Sequence, residues 1–286
     1  MELIRSVVRQ VFGDDKDLDD PLKPVGGGCI NNTGVFGYKG QNFFLKWNQN
    51  AHELFEKEKL GLELLTNQTE IEIPNVIGQG IAEDFDFLCL EFIEKGISTK
   101  KYWRNFGENL ANLHKISNEK FGLHFENHIG RLPQTNEFEH TWIDFFINRR
   151  LEPQLKLAQR QNLIESSLLL DFELLYRKLE NYFPVELPAL LHGDLWSGNI
   201  MASHDNKPYI FDPAVYYGHR EAELAFTHMF GGFDRIFYES YQSTFPLQPE
   251  FSQRIDLYNL YPLLVHLNLF GMSYLQGIQD VLRRFV

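Results

Sequence analysis

Asp194, Asn199 and Asp212 are the residues whose types and spacing point most directly to chemistry. The first two lie in His192-Gly193-Asp194-Leu195-Trp196-Ser197-Gly198-Asn199, and the third in Ile210-Phe211-Asp212-Pro213-Ala214 beyond a polar segment containing Pro208. An aspartate, four intervening residues, an asparagine and then a second aspartate after a short hairpin is a layout that serves phosphoryl transfer. A carboxylate at Asp194 can accept a hydroxyl proton and orient that oxygen for in-line attack. The amide oxygen of Asn199 and the carboxylate of Asp212 are hard ligands suited to Mg²⁺, which takes few protein ligands and fills the rest of its shell with phosphate oxygens and water. Gly193 and Gly198 let the loop turn tightly. A single Asp-Gly or Gly-Asn pair is most often only a turn. The whole set outweighs that reading, because apolar Leu190-Leu191 precedes it and Tyr209-Ile210-Phe211 leads into Asp212.

Phosphoryl transfer also needs groups that hold a nucleotide, and the first third of the chain offers them. Val25-Gly26-Gly27-Gly28-Cys29-Ile30 sets three glycines between strand-like residues. Gly26, Gly27 and Gly28 suit a hairpin whose backbone can close over phosphates, although any tight hairpin can use glycines in this way. Asn42 to Trp47 alternates as a strand, with Lys46 set among apolar neighbours. A helix with Leu54, Phe55, Leu60, Leu62 and Leu65 on its apolar side follows, carrying Glu56 and Glu58. A strand lysine paired to a helix glutamate is a way of holding the α- and β-phosphates of ATP. Glu58 is the chosen partner and Glu56 the alternative. Segments 74–80 and 85–93 read as two further strands, the second broken at Glu94-Lys95-Gly96. Glu91, Phe92 and Ile93 therefore form the expected hinge, where an adenine would meet backbone groups.

The elements around these residues follow from periodicity. Leu3, Ile4, Val7, Val8, Val11 and Phe12 share one face of a first helix, and the acidic stretch Asp14 to Asp20 reads as a solvated loop. After the hinge the pattern turns helical. Phe106, Leu110, Leu113 and His114 share a face, with His114 read as a packed core histidine. The stretch from Phe121 to Asn136 is irregular and rich in aromatic and amide side chains. Trp142, Phe145, Phe146 and Leu151 begin another helix, with Arg149 and Arg150 expected on its polar side. Arg220 and Glu223 open a helix beside Asp212 and are read as scaffold. Segment 251–286 is helical.

Composition bounds the rest. The chain has 286 residues, 43% of them hydrophobic, enough for a large core and for two lobes. A net charge of −12 with no basic run argues against nucleic acid or an anionic membrane surface as partner. The cysteines, Cys29 and Cys89, are too few for a disulfide framework and fit a reducing cytoplasm. The N-terminal stretch has helical spacing with Glu2 and Arg5 inside it, unlike a signal peptide. The apolar segment 257–275 contains Asn259, Pro262, His266 and Asn268, so it reads as a buried helix rather than a membrane span.

The chain resembles the fructosamine kinase family, a branch of the protein-kinase-like fold that also holds aminoglycoside and choline phosphotransferases. The resemblance rests on H-G-D-L-W-S-G-N at 192–199, D-P-A-V-Y-Y-G-H-R-E-A at 212–222, F-G-G-F at 230–233, I-G-R-L-P-Q-T-N at 129–136, L-A-N-L-H at 110–114 and L-F-G at 269–271, and it covers nearly the whole chain. It implies an α+β fold with a small antiparallel-sheet N-lobe, residues 1–93, and a mainly helical C-lobe, residues 94–286. It also implies ATP and Mg²⁺, and phosphorylation of the sugar 3-hydroxyl of a ketosamine, free or protein-bound, in the service of protein deglycation. Carried over by position, Asp194 is the catalytic base, Asn199 and Asp212 are the magnesium ligands, Lys46 with Glu58 holds phosphates, and Trp196 is a wall of the sugar site. The Gln134-Thr135-Asn136 and Tyr216-Tyr217-Gly218-His219 stretches are candidate partners for sugar hydroxyls. A monomer or weak homodimer in the cytoplasm is expected. The competing functions are an aminoglycoside- or choline-type small-molecule kinase and a nucleotide-binding pseudokinase module. The second is disfavoured because Lys46, Asp194, Asn199 and Asp212 are all present.

Overall fold

Alternation along Gln41–Asn48 (β3) sends Phe43 and Leu45 to one face of a sheet and Phe44 and Lys46 to the other. The computed structural model, which describes residues 2–26 and 30–286, builds this strand into a five-stranded antiparallel sheet. Its members are Leu18–Pro24 (β1), Asn32–Tyr38 (β2), β3, Val76–Ala82 (β4) and Phe85–Glu91 (β5), in the order β1-β2-β3-β5-β4. The first helix, Glu2–Phe12 (α1), lays Ile4, Val7 and Val8 on the Phe43/Leu45 face, where Phe36, Tyr38, Phe87 and Cys89 complete a core. Burial of each of these aliphatic side chains contributes roughly 1.5–3 kcal/mol. The second helix, His52–Thr66 (α2), buries Phe55, Leu62 and Leu65. In the acidic stretch the structure departs from the expected loop. Leu18 to Pro24 pairs with β2 as an edge strand, and its prolines and charges are the features that keep such an edge from recruiting another strand.

The chain divides into two units, one comprising residues 1–102 and 198–213, the other 103–197 and 214–286. The sequence places a single cut after residue 93, whereas here the first unit continues to Tyr102 and takes back a later segment. Long-range backbone pairing is the reason. Strands Ile200–Ala202 and Pro208–Ile210 form a hairpin. Glu72 brackets it, donating to the Pro208 carbonyl at 3.0 Å and accepting from Ile210 at 3.1 Å. Gly96 N–H donates to the Ala202 carbonyl at 2.7 Å. No periodicity in the sequence reports such pairings.

The second unit is mainly helical. Its elements include the body of Lys100–Leu113 (α3) and the helices Ser166–Tyr176, Arg220–Thr227, Arg235–Thr244, Phe251–Tyr258, Leu260–Phe270 and Leu275–Phe285. The apolar run around residue 265 is thus broken at Gly271, and among the described residues no helix is long and apolar enough to cross a membrane. The segment after Trp142 winds as a π-helix over Phe146–Leu151. That wider turn carries Arg150 off the polar side expected for it and into the interior, where it is 0% exposed. Its guanidinium lies 4.0 Å from the Tyr216 ring centroid and 4.5 Å from that of Phe145. It donates to the Thr135 carbonyl at 2.7 Å and to Asn136 Oδ1 at 2.8 Å.

Candidate active site

The first unit brings together Lys46, Glu58 and Asp212, three of the residues expected to handle phosphates and metal. Lys46 reaches α2, where its Nζ donates to Glu58 Oε1 at 2.6 Å, while Glu56 is exposed. The same ammonium is hydrogen-bonded to Asp212 Oδ1. The Lys46 and Glu58 side chains are 5% and 10% exposed but that of Asp212 is 41% exposed, so the trio is sealed on one side and open on the other. Burial alone would push the Lys46 ammonium down, and the carboxylates of Asp212 and Glu58 more than offset it, holding it above its ordinary value. Glu58 moves up, first through burial and then through repulsion from Asp212, against the pull of Lys46. Two carboxylates on one ammonium leave a negative charge unbalanced.

Asp212 has a left-handed backbone, φ 58°. A short polar side chain tolerates that conformation better than most because it can bond locally. Asn199 ends a 3₁₀ turn, is 6% exposed, and its carbonyl accepts the Phe211 N–H at 3.1 Å, which ties the asparagine to the residue before Asp212. The donor set fits magnesium: one carboxylate, one amide and an excess negative charge with an open side, leaving positions for phosphate oxygens and water.

The glycine hairpin and the hinge, expected to meet the nucleotide, belong to the same unit. The β1–β2 hairpin closes with Val25 N–H on the Thr33 carbonyl at 3.0 Å and Thr33 Oγ1 on the Val25 carbonyl at 2.7 Å. Gly26 is exposed at its end, and Gly27, Gly28 and Cys29 lie outside the described residues. At the expected hinge, Glu91 donates its N–H to the Asn75 carbonyl at 2.9 Å and accepts from Asn75 Nδ2 at 2.7 Å. Phe92 and Ile93 are half-buried.

Asp194 and Trp196 belong to the second unit. Strand Ala189–Leu191 pairs with Tyr216–Gly218, and the His192 carbonyl accepts the Ala214 N–H at 2.9 Å. Gly193 sits between them at φ 85°, and a Cβ there would stand 2.0 Å from the Ala214 carbonyl oxygen, so only glycine fits this crossing. Asp194 follows at once, partly exposed, its N–H donating to His192 Nδ1 at 3.3 Å. The Trp196 indole is half-buried and meets Phe230 edge-on, ring centroids 5.4 Å apart. Phe230 comes from the F-G-G-F turn, where Gly231 and Gly232 adopt φ 94° and 76°.

The amide residues expected to face a sugar are committed elsewhere. Gln134 and Asn136 are buried, with Gln134 Nε2 donating to Asn127 Oδ1 at 2.8 Å and to the Ala214 carbonyl at 3.1 Å. Gln134 Oε1 accepts from Tyr261 Oη at 2.6 Å, and Asn136 accepts from Arg150. Tyr216 and His219 are likewise interior, and Tyr217 is partly exposed. Gln134 braces the backbone at Ala214, while Asn136 is bonded to the Phe125 carbonyl and Asn127, and His219 to the Pro184 carbonyl.

Sequence reasoning took Glu223 and His114 as scaffold, without indicating that what they support is the loop before Asp194. Glu223 accepts from the backbone of His192 and Gly193, and His114 bonds Glu223 in turn. For His114 the signal was a polar type on the apolar face of Phe106, Leu110 and Leu113, and for Glu223 the helix pattern offered none.

Comparison with known proteins adds an independent line. The family model for fructosamine kinase matches residues 1–286. A probable ketoamine kinase of Synechocystis is 40% identical over 266 residues, 92% of this chain and 89% of its own length. A chloroplastic protein-ribulosamine 3-kinase of Oryza sativa subsp. indica is 38% identical over 271 residues, covering 91% and 77%. A solved structure from Haemophilus somnus, provisionally assigned as a fructosamine-3-kinase, superposes with TM-score 0.87 at 28% identity, covering 99% of this chain and 96% of that one. An aminoglycoside phosphotransferase, 16% identical with TM-score 0.63, shares the protein-kinase-like α+β fold.

Proposed function

The chain belongs to the fructosamine kinase family and is an ATP-dependent phosphotransferase, and on that premise we propose that it phosphorylates the sugar 3-hydroxyl of ketosamines, fructosamine or ribulosamine, free or on protein, as a step in deglycation. The observation that carries the kinase chemistry is the buried Lys46 ammonium set between Glu58 and Asp212. Relatives named as ketoamine and ribulosamine kinases support the acceptor class. So does an indole two residues beyond Asp194 with Phe230 against it, because apolar sugar faces pack on aromatic rings.

In this reading the Asp194 carboxylate takes the proton of the acceptor hydroxyl. The hydroxyl oxygen forms a bond to the γ-phosphorus, the bond from that phosphorus to the β,γ-bridging oxygen breaks, and ADP leaves with that electron pair. Lys46, aligned by Glu58, holds the α- and β-phosphates, and the backbone of Glu91 to Ile93 meets the adenine. Asn199 and Asp212 would hold Mg²⁺, which neutralises phosphate charge when bound. The protein is assigned to the cytoplasm, as a monomer or weak homodimer.

A panel of fructosamine, ribulosamine, their 3-deoxy analogues, aminoglycosides and choline with Mg-ATP tests the proposal by direct detection of phosphorylated product. Transfer to the ketosamines and none to the 3-deoxy analogues is expected. A 3-deoxy fructosamine phosphorylated at the normal rate would sink the regiochemistry, and turnover confined to choline or aminoglycosides would move the acceptor class. Trp196→Ala should lower kcat/KM for the sugar by roughly 3- to 10-fold, the scale of one lost aromatic contact of about 1 kcal/mol. Unchanged efficiency would remove the stacking role.

A further inference from the structure

His266, Phe270 and Tyr274 recur at intervals of four, a spacing that stacks side chains on one face of a helix. The helix Leu260–Phe270 carries the first two and stops at Gly271, whose φ of 93° few other residues adopt. The chain turns there, and Tyr274 comes back against both rings, its centroid 5.1 Å from that of His266 and 6.4 Å from that of Phe270. His266 and Phe270 are themselves 5.4 Å apart. On its other side His266 meets Phe230 at 5.0 Å, and Phe230 meets Trp196 at 5.4 Å. Five rings from three separate segments thus form one contiguous row within the second unit, beginning two residues beyond Asp194.

Core packing does not account for this row. A core cluster of rings would be sealed, whereas Trp196, Phe230, His266 and Tyr274 are each partly exposed and Phe270 is 48% exposed. His266 behaves here as an aromatic ring rather than as a charge. Its Nδ1 lies 2.7 Å from the Pro262 carbonyl oxygen, which makes that nitrogen the N–H donor. Burial, only partly offset by this bond, holds the imidazole below its ordinary value and so in the neutral form. The chemistry of a ketosamine supplies what lies on such a surface. Its nitrogen is attached to C1, two carbons from the one that bears the 3-hydroxyl, so with the sugar on Trp196 the amine emerges within reach of the next ring in the row. At neutral pH that nitrogen is a secondary ammonium, and both a cation and the hydrocarbon attached to it favour aromatic faces. We infer that the row Phe230, His266, Phe270 and Tyr274 is the subsite for the amine carrier of the ketosamine, and that it selects carriers with an apolar hydrocarbon portion. The inference rests on the ketosamine reading of the acceptor site.

Two fructosamines that differ only in the amine, one N-methyl and one N-benzyl, test it with Mg-ATP. The methyl group ends beside the sugar, whereas the benzyl ring extends along the row. Wild type should show kcat/KM roughly 3- to 10-fold higher for the N-benzyl compound, the scale of one aromatic contact. Phe270→Ala and Tyr274→Ala should each lower that ratio by about 3-fold or more. The ratio is the readout because a variant that is merely less folded loses both substrates in proportion. A ratio lowered by either variant supports the inference. A wild-type ratio that both variants retain overturns it, since the rings then act only as scaffold. Phe270 is half exposed, so its truncation strands little of the interior, and its ratio alone decides should Tyr274→Ala not fold. The two amines in wild type also separate this inference from the reading beneath it. Turnover of both with no preference for N-benzyl removes the carrier subsite alone, and turnover of neither removes the ketosamine reading and the subsite together.

Discussion

Asp194→Asn is expected to lower turnover by roughly 10²- to 10⁴-fold, the contribution of a positioned general base, while leaving nucleotide affinity nearly unchanged. The substitution is close to isosteric, and the side chain is partly exposed, so no buried charge is stranded by it. The loop geometry ahead of it depends on Gly193 and on the Glu223 bonds to the His192 and Gly193 amides, none of which the amide alters. What disappears is the capacity to take the hydroxyl proton as the oxygen attacks. Lys46, Glu58 and Asp212 belong to the other unit, and the triphosphate is assigned to them, so ATP titration should report near-wild-type binding. Measured together, kcat and ATP affinity decide the matter. Turnover within a few-fold of wild type ends the base assignment, and a matching loss of ATP affinity would place Asp194 at the phosphates instead.

Much of this arrangement was legible in the sequence because the chemistry fixes residues at short separations. Asp194 and Asn199 share one loop, Asp212 follows by a single hairpin, and Lys46 on a strand is followed directly by α2 carrying Glu58. Strand and helix periods also locate β3 and β5, because Phe43, Leu45, Phe87 and Cys89 alternate onto one core. The illegible parts depend on long-range or irregular geometry. Glu223 acts on a backbone 30 residues earlier, and nothing in its own helix pattern distinguishes it from a solvated glutamate. Arg150 looks like a surface arginine until the π-turn carries it beneath Tyr216. Gln134 and Asn136 look available to a sugar until they are found bonded to Asn127, Tyr261 and Arg150. The return of 198–213 to the first unit is a matter of backbone pairing with Glu72 and Gly96, which carries no compositional mark.

Asp212→Ala should cut turnover by at least about 100-fold at a magnesium concentration that saturates wild type, and should raise the magnesium needed for half-maximal rate. The carboxylate is the one charged member of the proposed ligand pair, and its side chain is the open part of the buried trio. Alanine removes that ligand and also the second carboxylate on Lys46. Lys46 and Glu58 are then left as a balanced pair, and Glu58 loses the repulsion that helps hold its carboxyl up. The fold should therefore tolerate the loss of charge. The backbone is a separate cost, since φ 58° suits aspartate or asparagine better than alanine, by about 1 kcal/mol. Asp212→Asn keeps that conformation and separates the two effects. It should retain wild-type thermal stability yet share the raised magnesium requirement. Lys46→Ala should behave differently, weakening ATP binding with little change in magnesium dependence and losing stability, because Glu58, 10% exposed, is left without its cation. A magnesium titration of the three variants distinguishes these outcomes. If Asp212→Ala and Asp212→Asn both keep the wild-type magnesium dependence, the metal assignment is wrong and Asp212 serves only to hold Lys46.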